Sequence, residues 1–145
     1  MKIPNNSLTE EITEIARLCE ELSEDYGDDA SWFDPPATEE EIAKWEEENG
    51  IRIPESYKDW LRFTDSCQIL NTLARLYGVR EMEVNSKDCP EDCVLIGDII
   101  GDGERLCFSK VTGKIIRHNH GENREFGDFK EILKRTVIRM LQKNF

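Results

Sequence analysis

An apolar stripe near the start of the chain predicts a long amphipathic helix from about Leu8 to Asp25. Apolar residues recur there at alternating steps of four and three, which is the spacing of one buried helix face. The stripe consists of Leu8, Ile12, Ile15, Cys19, Leu22 and Tyr26. Ser7 and Glu10 have the spacing of a capping box at its start. We expect the stripe to pack on the domain core, and a helical contact with a second copy stays open because the stripe is too short to establish a coiled coil.

Two further helices are predicted in the next part of the chain. Thr38 and Glu41 have the spacing of a capping box, so the second helix starts at about Glu39 and ends at Gly50. Pro54 suits the first turn of the third helix. The apolar residues that lead into the third helix and line its buried face are Ile53, Tyr57, Trp60 and Leu61. We assign this set to the core, where mutation changes stability and leaves binding specificity alone.

Between Gln68 and His120 the apolar period shortens to that of strands. The predicted strands are Val94 to Ile100, Arg105 to Ser109 and Lys114 to His118, with less defined apolar segments at Gln68 to Leu70 and Leu76 to Val79. Gly97 is interpreted as a structural glycine within this region. A last helix then begins after the cap residue Asp128. Its apolar face is Phe129, Ile132, Leu133, Val137, Met140 and Leu141.

The hairpin between the last two strands decides whether a metal site is conceivable. A three-residue loop, Val111 to Gly113 with Gly113 at the bulge position, pairs Phe108 with Ile116 and places Leu106 opposite His118. A two-residue turn places Cys107 opposite His118 instead, and His120 then completes a Cys-His-His set. We prefer the bulged loop, so no metal site is predicted.

The order of elements predicts an α+β fold. N-terminal helices and a C-terminal helix flank a sheet that is antiparallel, with a mixed sheet as the alternative. At 145 residues, the chain has the usual length of a single domain.

The negative charge is concentrated in the N-terminal third. Residues 1–50 contain 16 Asp and Glu against 3 Lys and Arg, a net charge of −13, while the other 95 residues contain 15 acidic and 16 basic side chains and net +1. Nucleic acid and anionic membrane are therefore poor partners, because both are bound by clustered Lys and Arg. A basic protein is the better partner. The alternative is that acidic helix surfaces only keep the protein in solution.

Three groups of residues are candidates for contact with a protein partner. Glu46, Glu47 and Glu48 crowd the C-terminal end of the second helix, where the helix dipole disfavours negative charge. The second group gathers carboxylates around a glycine-rich turn and consists of Asp98, Asp102 and Glu104. The third group is the aromatic pair Trp32 and Phe33 in an acidic linker, which either covers the core edge or anchors a partner.

Catalytic and cofactor signatures are absent from the sequence. It contains no nucleophile elbow, phosphate loop or paired metal-binding histidines on a helix, so we expect neither an enzyme nor a cofactor. The N-terminus has no secretory signal, and we expect a cytoplasmic protein. Its five cysteines are then reduced thiols. Cys89 and Cys93 could close a small ring or bind a metal, although the spacing is not a strong zinc pattern.

The second and third helices, TEEEIAKWEEENGIRIPESYKDWL, resemble the entry motif of the SUKH superfamily, in particular its cell-wall-assembly-regulator-like branch, also called glucan-synthesis-regulator-like. Downstream, VLIGDIIGDGERLCFSKVTGKIIRHNH is similar to the family pattern of Ile-Gly-Asp, a glycine-rich turn and two strands around Thr-Gly. The resemblance covers about residues 30–140 of one SUKH-like domain that spans 1–145. One departure is Thr64-Asp65-Ser66, where the family often has Asn-Gly.

The resemblance implies a protein-binding role. Many bacterial SUKH proteins are immunity proteins that act as antitoxins, neutralising polymorphic or contact-dependent toxins, often nucleases. The fungal relatives imply the alternative, a regulatory scaffold for cell-wall assembly. We expect immunity, because those regulators carry the domain inside longer chains. The expected partner is a basic toxin domain, with no nucleic acid and no membrane, and the protein itself is expected to be a monomer or a weak homodimer.

Overall fold

The computed structural model describes residues 2–99, 104–119 and 121–143. Helices precede and follow a sheet. The N-terminal helices are α1 Thr9–Tyr26, α2 Glu39–Asn49 and α3 Glu55–Leu61. The strands are β1 Trp32–Phe33, β2 Cys67–Ile69, β3 Ala74–Leu76, β4 Cys93–Ile99, β5 Glu104–Ser109, β6 Ile115–Asn119 and β7 Glu122–Phe126. The chain ends in a continuous C-terminal helix made of α4 Phe129–Ile132, a π-helical segment Leu133–Ile138 and α5 Arg139–Gln142.

The seven strands form one sheet in which each strand pairs with the next along the chain. All six pairings are antiparallel, so the α+β prediction is confirmed and the mixed alternative does not apply to the described strands. The helices cover one face of this sheet. We call the opposite face the open face. A smaller cluster of buried residues lies on it, made of Cys93, Leu95, Cys107 and Ile116.

The main core lies between the helices and the sheet, and the predicted core residues of α3 are at its centre. Tyr57, Trp60 and Leu61 are buried, and the Tyr57 hydroxyl donates a hydrogen bond of 2.6 Å to the backbone oxygen of Tyr77. Phe129 of the C-terminal helix meets the Tyr57 ring edge-on, with ring centroids 4.8 Å apart. This packing joins α3 to the C-terminal helix.

Helix α1 packs inward along its predicted stripe, apart from Tyr26, which is 41 % exposed. The predicted Ser7 and Glu10 capping box is wrong. No side chain of the described residues caps α1, and Asn6 Oδ1 accepts a hydrogen bond of 2.8 Å from the backbone N–H of Leu8, the residue before the helix. Ser7 donates its hydroxyl to Asp59 Oδ2 at 2.5 Å and so ties the start of α1 to α3. The Ser7 hydroxyl therefore binds Asp59 of α3 and does not cap its own helix.

Local sequence signals determine the ends of α2. Thr38 Oγ1 accepts from the Glu41 backbone N–H at 3.1 Å, and Glu41 Oε1 accepts from the Thr38 N–H at 2.9 Å. The predicted capping box is therefore confirmed. Gly50 follows in the left-handed conformation with φ 64°. After α3, Thr64 of the Thr64-Asp65-Ser66 segment donates its hydroxyl to the Asp34 backbone oxygen at 2.7 Å.

The β5–β6 hairpin differs from the predicted three-residue loop. Its turn has four residues, Lys110 to Gly113, closed by a hydrogen bond of 2.9 Å from the Gly113 N–H to the Ser109 oxygen. Gly113 has φ 74°, which favours glycine. The additional turn residue shifts the register by one, so Phe108 faces Ile115 and Arg105 faces His118. Both sequence-based pairings for His118 are therefore wrong.

Two strands were missed by the sequence analysis because neither has an alternating apolar pattern. Strand β1 has only two residues, and four of the five residues of β7 are exposed. Both lie at the edges of the sheet. Within the sheet, Gly97 allows close contact with β3, because a Cβ atom there would lie 2.4 Å from the Arg75 backbone oxygen.

Candidate protein-binding surface

The acidic N-terminal third places most of its carboxylates on the surface. Within the described residues, the carboxylates of this third that are exposed and form no ion pair are Glu10, Glu20, Glu24, Asp25, Asp28, Asp29, Asp34, Glu40 and Glu47. We call these nine residues the acidic surface. They lie on α1, on α2 and on the linker between them. Their charge is left for solvent or for a cationic partner to neutralise.

The three glutamates at the end of α2 have different surroundings. Glu46 is largely buried and forms a 3.1 Å ion pair with Lys58 Nζ, and its Oε2 also accepts from the Ile53 backbone N–H at 2.8 Å. Glu47 and Glu48 are exposed. Glu48 lies 3.8 Å from Lys44 in a surface pair, which is of little energetic consequence. Only Glu47 and Glu48 are therefore accessible to a partner.

The second predicted group does not form one cluster. Asp98 lies on the open face, where it pairs with Arg105 and its Oδ2 accepts a hydrogen bond of 3.1 Å from the Tyr77 hydroxyl. Glu104 lies on the helix-covered face and is 9 % exposed. Its carboxylate pairs with Arg117. Asp102, the third member, lies outside the described residues. Glu104 is thus a structural residue, and Asp98 is the accessible one.

Strand β1 places the two candidate aromatic residues on opposite sides. Trp32 is 37 % exposed, and its ring stacks on the guanidinium of Arg75 at 4.9 Å from the ring centroid. Phe33 packs on Phe63, with ring centroids 5.3 Å apart. Both line a hollow of about 400 Å³ whose other apolar walls are Pro35, Pro36 and Phe63. An aromatic hollow therefore lies beside the exposed Asp34.

Arg75 holds the Trp32 ring in place. Its Nη1 donates to Ser66 Oγ at 2.8 Å and to the backbone oxygen of Leu76 at 3.0 Å, and its Nη2 pairs with Glu81. A cation fixed by this many acceptors provides a rigid base for the ring. An exposed Trp that is already ordered loses little side-chain entropy on binding, which is typical of interface hot spots.

Strand register places one accessible residue from every strand in a row across the open face. Consecutive members are direct partners in the sheet pairings. The row runs Trp32, Gln68, Arg75, Asp98, Arg105, His118 and Asn123. Two of the sequence candidates, Trp32 and Asp98, are thus brought onto one surface. The sequence analysis missed Arg75 and Arg105, because only the strand register relates them to Trp32.

Burial beside this row raises the pKa of Tyr77 to about 12, and the negative charge of Asp98 adds to the effect. Tyr77 therefore stays a neutral hydrogen-bond donor at physiological pH. His118 Nδ1 lies 2.6 Å from Asn123 Oδ1. His120, which the metal hypothesis required, lies outside the described residues. Among the residues that are described, no group of three or more His, Cys, Asp or Glu side chains is arranged to hold a metal ion.

The family model of the SMI1 / KNR4 family (SUKH-1) matches residues 36–135. The chain belongs to this family. The match begins just before α2 and ends in the C-terminal helix, so the SUKH resemblance seen in the sequence is confirmed. No curated protein matches the chain. The residues that precede the SUKH-1 match include α1, β1 and the loops around β1, and they contribute Trp32 and seven of the nine residues of the acidic surface.

Two further findings concern the helices of this SUKH-1 chain. None of the helices in the described part of the chain is long and apolar enough to cross a membrane. The C-terminal helix carries the opposite charge from α1. Its exposed cations are Lys134, Arg135 and Arg139, and the exposed Lys143 follows directly after the helix. Acidic and basic side chains are thus concentrated on different helices.

Proposed function

We propose that this protein is a cytoplasmic, non-catalytic immunity protein that neutralises a polymorphic or contact-dependent toxin by direct binding. Membership of the SMI1 / KNR4 family (SUKH-1) is consistent with an immunity or regulator protein and leaves the choice between them to other observations. The observation that carries the proposal is the acidic surface. Its nine exposed carboxylates, which form no ion pair with any described residue, fit a strongly basic protein.

A nuclease toxin has the matching chemistry. An enzyme that binds a polyphosphate backbone presents clustered Lys and Arg around its substrate cleft. An acidic inhibitor is attracted to such a cleft over several ångströms, so it associates quickly and competes for the site of the substrate. Glu47, Glu48 and Asp98 are the accessible members of the predicted acidic groups, and Trp32 supplies an exposed aromatic side chain in the same open-face row as Asp98.

Affinity capture followed by a neutralisation assay tests this function. The tagged protein is used to isolate stoichiometric partners from its native lysate at moderate salt, and the partners are identified by mass spectrometry. A captured basic toxin domain is then purified, and its activity is measured with increasing amounts of this protein. Complete inhibition at a one-to-one ratio supports the immunity function.

The same experiment separates immunity from the regulatory alternative. Several wall-synthesis or signalling proteins in place of one toxin would favour a scaffold of the cell-wall-assembly-regulator type. A toxin that is bound but stays fully active would contradict neutralisation. In either case, the charge-reversed variant Glu47→Lys/Glu48→Lys shows whether capture depends on the acidic end of α2.

A further inference from the structure

Three cysteine side chains converge on the open face of the sheet. Cys93 in β4 faces Ser109, and Cys107 in β5 faces Leu95, so the two cysteines lie on the same face of neighbouring strands. Cys89 precedes β4 and packs on the cluster that contains them. Within this cluster the Cys89 side chain interacts with the Cys107 thiol. Cys107, on the neighbouring strand, is thus available as a partner for Cys89 in addition to Cys93, which is closer in sequence.

Cys89 and Cys107 differ in their access to solvent. Cys107 is completely buried, whereas Cys89 is partly exposed. The turn after Cys89 is fixed, because Asp92 adopts the left-handed conformation with φ 63° and its backbone oxygen accepts from the Lys110 N–H at 2.9 Å. A reagent in solution therefore reaches Cys89 first.

We propose that Cys89 and Cys107 are a thiol pair that reacts with a low-molecular-weight disulfide, such as glutathione disulfide, to form an intramolecular disulfide bond. Cys89 is the entry thiol and Cys107 the resolving thiol. The site is independent of toxin binding. It assigns a chemical role to a cysteine that the sequence analysis could place only in a ring with Cys93 or in a metal site.

The reaction has two exchange steps. The Cys89 thiolate attacks one sulfur of glutathione disulfide, the S–S bond of the reagent breaks, and one glutathione thiolate leaves. The Cys107 thiol then loses its proton to solvent and attacks the Cys89 sulfur, which releases the second glutathione thiolate. Two protein thiols are oxidised to one disulfide, and one glutathione disulfide is reduced to two glutathione molecules.

The surroundings of Cys107 make the second step the slow one. Its interaction with the Cys89 side chain, together with burial, raises the pKa of the Cys107 thiol far above the ordinary value of a cysteine. Little thiolate is then present at neutral pH. Ring closure should accelerate as pH rises, because the nucleophile in disulfide exchange is the thiolate.

Mass spectrometry of the full folded chain after incubation with glutathione disulfide tests the site. The reaction is quenched with acid, the remaining thiols are alkylated, and the peptides are mapped without reduction. We expect a Cys89–Cys107 linked peptide and the loss of two hydrogen atoms from the intact protein. The chain unfolded in urea is the reference, and there the closely spaced Cys89 and Cys93 should compete for ring closure.

Single substitutions separate the two roles. Cys107→Ser should stop the reaction at a glutathione adduct on Cys89, and Cys89→Ser should leave Cys107 unmodified. Cys93→Ser is the matched control and should still give the Cys89–Cys107 link. Three outcomes would each overturn the proposal. The first is a Cys89–Cys93 ring in the folded chain, and the second is a stable glutathione adduct on the unsubstituted protein. The third is a folded chain in which Cys89 does not react although it reacts in the unfolded chain. The peptide map of the unsubstituted chain decides the matter even if Cys107→Ser does not fold.

Discussion

Glu46 and Lys58 join α2 to α3 through an ion pair in which Oε2 and Nζ lie 3.1 Å apart. The same carboxylate oxygen accepts a hydrogen bond of 2.8 Å from the Ile53 backbone N–H. These contacts explain why a glutamate occupies the C-terminal end of a helix, where the dipole disfavours it. Its partners come from α3 and from the segment that leads into α3, and not from α2 itself.

Glu46→Ala should therefore destabilise the protein, although it removes a residue of an acidic run. The substitution leaves the Ile53 N–H and the Lys58 ammonium without this partner, and we expect the free energy of unfolding to fall by about 2 kcal/mol. Glu47→Ala is the matched control and should change it by less than about 0.5 kcal/mol, because Glu47 is exposed. Urea denaturation measures both. Equal midpoints for the two variants would contradict the structural role of Glu46.

The sequence was sufficient for elements whose signals are local. The α2 capping box, the apolar stripe of α1 and the long strands each depend on residues close together in the chain, and all are present in the structure. The Ser7 cap was wrong because Asp59, 52 residues away, binds its hydroxyl. The predicted hairpin register was wrong because one additional residue in the turn shifts the pairing of every following residue by one position.

The candidate surface could be predicted only in part, since it depends on strand register. The sequence identified Trp32 and Asp98 separately, but nothing in it places Arg75 beneath the Trp32 ring. The acidic charge was visible in the composition. The composition did not show which carboxylates form ion pairs, because the cationic partners of Glu46 and Glu104 lie at least 12 residues away in the chain.

The buried pair of Glu104 and Arg117 should contribute strongly to stability. Arg117 also donates to Thr136 Oγ1 at 3.1 Å, so the pair links the sheet to the C-terminal helix. Arg117→Leu leaves a carboxylate of 11 % side-chain exposure without its cation, and we expect a loss of about 3 kcal/mol in urea denaturation. The control Arg135→Leu removes an exposed pair and should cost less than about 0.5 kcal/mol.

A second substitution tests whether the loss comes from an unpaired charge. Adding Glu104→Leu to Arg117→Leu removes the isolated carboxylate, so the double variant should be more stable than Arg117→Leu alone. The single variant Glu104→Leu is measured as well. A double variant whose loss of stability equals the sum of the losses of Arg117→Leu and Glu104→Leu would contradict this explanation.

Tyr77 should make the protein less stable in alkali. The unfolded chain releases the phenol proton near pH 10, whereas burial raises the pKa of Tyr77 in the folded protein to about 12. The unfolded state therefore binds fewer protons between these values, and the free energy of unfolding falls as pH rises through this window. Tyr77→Phe should show a shallower fall in urea midpoint above about pH 10. Parallel slopes for the two proteins would contradict the assignment.

The acidic end of α2 should control how fast a toxin associates. With a toxin domain recovered by capture, Glu47→Lys/Glu48→Lys should slow association by about tenfold at low salt, because it replaces attraction by repulsion. The difference should shrink as salt screens the charges. The control Lys134→Glu/Arg139→Glu reverses two exposed charges on the C-terminal helix and should not slow association. Stopped-flow rates that are unchanged by the α2 reversal would remove this patch from the interface.

Trp32 should act on dissociation, since it is a short-range anchor and carries no charge. Trp32→Ala removes an ordered, 37 % exposed ring, and for a hot spot of about 2 kcal/mol we expect the complex with the toxin domain to dissociate about 30-fold faster. The association rate should be nearly unchanged. Val111→Ala, in the exposed β5–β6 turn, is the matched apolar control and should alter neither rate. Thermal unfolding of the free variants shows whether Arg75 still holds β1 in place. A dissociation rate for Trp32→Ala equal to that of Val111→Ala would place the partner away from the open face.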